Sequence, residues 1–166
     1  MGPILRPGGV FFKCSLAAPA ACARARLGVY TRSRRCEVDA QVSLQKKMEE
    51  KRQLMIDLQR DLTAVPALGP ENGGTGEGEK ARVLAQWLEK LGLGPCENHP
   101  APDPRVPKGE RPNLMVTLPG KLSDSSFWIM THLDIVPPGE ASLWESDPYT
   151  LVVKGDRLVG RGVEDN

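Results

Sequence analysis

Between Val42 and Thr63, the residues Leu44, Met48, Met55, Leu58 and Leu62 recur at roughly helical spacing, with Lys, Glu, Arg and Asp between them. The spacing predicts one amphipathic helix over 42–63, stopped by Pro66 and the Gly69-Pro70 pair. A polar, glycine-rich loop follows at 69–78. It is no phosphate loop, because the glycine-lysine-serine/threonine signature is missing and no strand precedes it. Val83, Trp87 and Leu91 form a second stripe, with Leu84 and Leu88 beside it. They predict a helix over 79–91 that ends at Gly92. Residues 94–112 are proline-rich and polar, and read as a surface loop.

The pattern then changes period. Residues 113–118 read as a short strand closed by Pro119-Gly120. The run 127–136 is mostly apolar and predicts a strand buried on both faces, as in an α/β sheet. Residues 149–153 and 157–159 flank Lys154-Gly155-Asp156 and predict a hairpin with glycine at its turn. A nearly continuous apolar strand covered on both faces makes α/β the expected class.

The chain has 166 residues, 22 Lys and Arg, and 21 Asp and Glu. This near-neutral balance argues against a nucleic-acid partner. No run of about 18 apolar residues occurs, which argues against a membrane span. The balance is uneven along the chain. Residues 1–36 hold seven basic residues and no acidic one, leaving 15 basic residues against all 21 acidic ones afterwards. This aperiodic segment is expected to be a disordered leader or extension covering residues 1–40. It also fits an organellar transit peptide or a basic arm. Folded structure is expected over 42–166. Cys14, Cys22, Cys36 and Cys96 form no CxxC pair. A reducing, cytoplasmic location follows, or an organellar one if the leader is a transit peptide.

Two places carry candidate chemistry. Alternation along a strand puts His132 and Asp134 on one face, and a metal-bound imidazole is commonly supported through its other nitrogen by a carboxylate. A structural histidine fits the same pattern. In Gly160-Arg161-Gly162-Val163-Glu164-Asp165-Asn166, two glycines mark a sharp backbone path after the hairpin, and Asp165 lies just beyond the strand end. A plain glycine-rich turn fits as well.

Together the blocks are more specific. They are Thr131-His132-Leu133-Asp134-Ile135-Val136-Pro137-Pro138-Gly139, Trp144, Asp147-Pro148-Tyr149, Gly155 and Gly160–Asn166. In this order they closely resemble the metallopeptidase M20 family, over roughly residues 48–166. That family includes succinyl-diaminopimelate desuccinylase, acetylornithine deacetylase, aminoacylase and carnosinase-type dipeptidases. The resemblance implies a three-layer α/β/α zinc-hydrolase domain, of which only the N-terminal portion is present. It implies two Zn2+ ions per complete site, with Co2+ or Mn2+ as possible replacements. The substrate would be a small N-acyl amino acid or peptide, and the full-length form is expected to be a homodimer. By position, His132 would ligate one zinc, Asp134 would support His132, and Asp165 would bridge both metals. The family's general-base Glu and remaining ligands come later than Asn166. The chain is therefore expected to be an incomplete, inactive fragment. The alternative is a non-catalytic short isoform that pairs with or regulates a full-length partner.

Overall fold

The computed structural model describes residues 8–15, 34–120 and 126–164. Val10, Phe11 and Phe12 are β-favouring residues, and they lie in a strand, β1 (Gly9–Ser15). The expectation that the leader stands apart from the fold is therefore corrected for residues 9–15. The physical reason is pairing and burial. β1 has strand neighbours on both sides, and Val10 is only 1% exposed.

The first predicted helix starts earlier than expected and is divided. α1 (Arg34–Glu50) and α2 (Arg52–Thr63) meet at Lys51, whose φ of −101° and ψ of 1° depart from helical values. The break is local, because the Lys51 amide still donates to the Lys47 carbonyl at 3.2 Å and the Met55 amide donates to the Lys51 carbonyl at 2.9 Å. Val42, Leu44 and Met48 on α1 are exposed, so the apolar stripe of that segment is uncovered. α2 ends at Ala64, just before Pro66, and a short 3-10 turn follows at Pro70–Asn72. α3 (Gly78–Lys90) lies within one residue of its predicted span. Asp61 of α2 accepts a hydrogen bond from the Trp87 indole of α3 at 2.9 Å, which joins the two helices.

The proline-rich stretch, expected to be loop throughout, carries three short strands: β2 (Cys96–Asn98), β3 (Ala101–Pro102) and β4 (Glu110–Arg111). Backbone pairing forms them despite the prolines. β2 pairs antiparallel with β5 (Leu114–Leu118), and β3 pairs with β4. β6 (Ser126–His132) completes a four-stranded sheet in the order β2-β5-β1-β6. β1 runs parallel to β5 and antiparallel to β6. β7 (Val152–Lys154) and β8 (Arg157–Val159) form the expected hairpin, with Gly155 at its turn. A mixed sheet with packed helices is an α/β arrangement.

Strand alternation puts Val10, Phe12 and Leu114 on one face. Ala81, Leu84 and Ala85 of α3 pack there, together with Leu133, and form the core. Each large apolar side chain fully buried in this way contributes about 1.5–3 kcal/mol. β6 departs from expectation. It is an edge strand that pairs on one side only, and Phe127, Trp128, Ile129 and Met130 are exposed rather than buried. The apolar run met the strand requirement, but no neighbour covers it among the described residues. No helix among the described residues is long and apolar enough to cross a membrane.

Candidate metal-binding cleft

β6 delivers His132 to the end of the sheet, where the backbone is tied on both sides. His132 pairs with Gly9, and the Leu133 amide donates to the Gly8 carbonyl at 2.9 Å. Two residues later the Ile135 amide donates to the Ala67 carbonyl at 3.0 Å, which anchors the segment to the chain leaving α2. Leu133 points into the core and is buried, so its neighbours His132 and Asp134 face away from that core. His132 Nδ1 lies 3.0 Å from the Asp134 carbonyl oxygen and 3.3 Å from Asp134 Oδ1. With Nδ1 turned to Asp134, metal coordination by this imidazole would use Nε2.

The second predicted segment meets the first across a cleft of about 520 Å³, lined by His132, Asp134, Trp144 and the turn Gly160–Glu164. Both glycines of that turn are needed sterically. A Cβ at Gly160 would sit 3.1 Å from Thr63 Cγ2. Gly162 has a φ of +77°, and a Cβ there would approach Ile135 Cγ2 to 2.9 Å. The turn is held in place by the Arg161 amide, which donates to the Pro148 carbonyl at 2.7 Å, and by Gln59 Nε2, which donates to the Gly162 carbonyl at 3.3 Å. The Trp144 indole donates to the Pro138 carbonyl at 2.9 Å, and the Arg161 guanidinium lies 5.3 Å from the Trp144 ring centre. Trp144, Asp147 and Pro148 serve as turn and packing residues here. Asp147 does cap its own turn, accepting from the Tyr149 amide and the Thr150 hydroxyl.

Charged groups that the sequence did not single out lie behind the cleft. Lys80, in the first turn of α3, is 7% exposed. Burial pushes its ammonium down to about 8, and the carboxylates of Asp134 and Glu77 partly offset that shift. A lysine in the first turn opposes the helix macrodipole, and that mismatch is the sequence cue that marks it. Glu77 is fully buried and takes a two-pronged contact from Arg111. Arg111 Nε donates to Glu77 Oε2 at 2.9 Å, and its Nη2 donates to Oε1. This contact raises the Arg111 guanidinium above its ordinary value. Asp103 lies beside the pair, and its contact with Arg105 holds its carboxyl down to about 2. Asn113 accepts from the Gly9 amide at 3.0 Å and donates to the His99 carbonyl at 3.0 Å, which ties β1 to the start of β5. No short-range pattern announces these partners.

Imidazole and carboxylate are donors that suit zinc. His132 and Asp134 fit one end of such a centre. No group of three His, Cys, Asp or Glu converges among the described residues. Asp165, the expected bridging ligand, lies outside the described residues.

Comparison with known proteins gives a consistent result. An uncharacterized metallohydrolase of Methanocaldococcus jannaschii is 35% identical over 119 residues, covering 67% of this chain and 28% of that protein. A succinyl-diaminopimelate desuccinylase of Gluconobacter oxydans is 36% identical over 117 residues, covering 66% of this chain and 26% of the relative. An acetylornithine deacetylase of Proteus mirabilis is 34% identical over 112 residues, covering 66% and 27%. The chain thus spans little more than a quarter of the length of these curated relatives. No family model matches it. No solved structure matches it. Over the matched two thirds of its length, the chain belongs to the M20 metallohydrolases.

Proposed function

We propose that this chain carries the N-terminal, metal-binding portion of a zinc-dependent hydrolase that cleaves an amide bond in a small N-acyl amino acid or peptide. The observation that carries the reading is the convergence of His132, Asp134 and the Gly160–Gly162 turn on one cleft. The names of the relatives, a desuccinylase and a deacetylase, support the substrate class. The family's three-layer α/β/α domain and homodimer belong to the same proposal, as does a cytoplasmic location, or an organellar one if residues 1–36 are a transit peptide.

In this reading His132 would be a zinc ligand and Asp165 would be a carboxylate shared by a zinc pair; cobalt or manganese would suit the same donors. A zinc pair, when bound, supplies an acidified water and polarises the scissile carbonyl. Asp134 holds the His132 ring through Nδ1, fixing its tautomer and orientation. Lys80, buried in the first turn of α3, places a positive charge behind Asp134. The glycines at 160 and 162 let the turn approach Thr63 and Ile135 closely enough to form the cleft wall.

Zinc bound per chain, measured by equilibrium dialysis on a protein that carries these residues and the later family ligands, tests the assignment. His132→Ala is expected to abolish binding at one metal. Asp134→Asn is expected to weaken affinity about 10–100-fold, as is typical when a supporting carboxylate is lost. Asp165→Asn is expected to disturb both metals. Zinc binding by His132→Ala that equals the parent's would sink the assignment. Release of free amine from N-acetyl- and N-succinyl-amino acids, measured on a protein that carries these residues and the later family ligands, tests the reaction.

A further inference from the structure

We infer that Arg161 forms a carboxylate-binding position in the cleft beside His132 and Asp134. The inference rests on the reading of this cleft as the substrate site and assigns the group that holds a substrate's charged end.

Arg161 Nε is buried and has no hydrogen-bond partner. A buried N–H is nearly always paired in a native protein, so an unpaired one calls for an explanation. Nothing about this side chain is loose. Its backbone amide is fixed to the Pro148 carbonyl at 2.7 Å, and glycines pressed against Thr63 and Ile135 flank it. The guanidinium is held over the Trp144 ring at 5.3 Å, and the Trp144 indole is itself fixed to the Pro138 carbonyl. A stacked guanidinium keeps its edge donors available in the plane of the fork, which is the geometry a planar oxyanion accepts in a two-pronged contact.

Charge selects among anions. Asp134 and Glu164 line the same cleft. Asp134 is turned to His132 Nδ1, and Glu164 is exposed, with no ion pair to Arg161 among the described residues. Two carboxylates lining the same cleft as the guanidinium disfavour a dianion such as phosphate more than a singly charged acid. The geometry thus points to a monocarboxylate, the group that terminates an N-acyl amino acid.

The test is a fluorescence titration of the full chain in metal-free buffer, at sub-micromolar protein. Phe replaces Trp87 and Trp128, so Trp144 is the reporter. N-acetylglycinate is the probe, neutral N-acetylglycinamide the charge control, and inorganic phosphate the competing anion. N-acetylglycinate is expected to give a saturable change that the amide does not give. Arg161→Gln is expected to weaken it on the order of tenfold or more, with Arg161→Lys between the two because it keeps the charge and loses the fork. Circular dichroism establishes that each variant is folded, and Arg161→Lys decides the matter should Arg161→Gln fail to fold. The inference is overturned by an equal response to the amide, tighter binding of phosphate, no saturable change, or unchanged affinity in Arg161→Lys. Binding without metal is read separately from zinc uptake and amine release, so failure here and failure of the hydrolase reading are distinguishable.

Discussion

Lys80 is a buried cation whose charge is offset at a distance by Asp134 and Glu77 rather than by a close ion pair, and this has a measurable consequence. Its folded-state value near 8 lies below the 10.5 of an ordinary lysine. Between those values the unfolded chain keeps a proton that the folded chain has released, so stability rises with pH across that window. The gain reaches about 3 kcal/mol at the upper end if the whole shift is expressed. Lys80→Met should flatten this rise. Urea unfolding of the parent and the variant, near neutral pH and near pH 10.5, checks it, and equal slopes for the two proteins would count against the assignment. The Glu77–Arg111 pair behaves differently. It is doubly hydrogen-bonded and closed off from solvent, so removing either partner leaves a buried charge, a change that typically costs about 3–5 kcal/mol. One charge is thus tunable by pH, and its neighbours are locked.

At the scale of elements, β1 decides how the sheet holds together. It pairs over five positions with β5 and seven with β6. The amides of Val10–Lys13 should therefore be protected from hydrogen exchange to the same degree as those of Leu114–Thr117. Exchange of the β1 amides at the rate of an unfolded chain would mean that the strand does not belong to the sheet. The sequence argued the other way, since residues 1–40 read as a disordered leader or extension, and the reason is instructive. Val10, Phe11 and Phe12 form a short apolar island in a segment whose acid-free composition dominates the reading. The α2 and α3 spans were legible because each presents several turns of one stripe, and periodicity survives averaging over that length. β6 was legible as a strand but not as an edge, because Phe127–Met130 report β-propensity and not the presence of a neighbour. The candidate cleft divides similarly. His132-Leu133-Asp134 is a local pattern and could be read directly. The Glu77–Arg111 contact spans 34 residues, and Lys80 meets Asp134 only through the packing of α3 on the sheet, so neither leaves a short-range trace.

At the scale of the molecule, the edge of β6 is an exposed apolar feature among the described residues. Met130 is 67% exposed and Trp128 is 42% exposed. An uncovered apolar edge strand templates association, so the chain should self-associate with rising concentration. Met130→Lys should shift that equilibrium toward monomer, since an inserted charge is a common guard on natural edges. Sedimentation equilibrium over a range of concentrations measures it. A parent chain that stays monomeric throughout would contradict the expectation. The central place of β1 has a further consequence, one of timing. Its partners lie at residues 114–118 and 126–132, more than a hundred positions downstream. At about 5–20 residues per second on the ribosome, their synthesis follows that of β1 by roughly 5–25 seconds. For that interval Val10, Phe11 and Phe12 are out of the ribosome with neither partner made. β2 and β5 can pair as they emerge, but β1 joins the sheet only once its distant partners are made, and the His132 end of the cleft, tied to Gly8 and Gly9, waits with it.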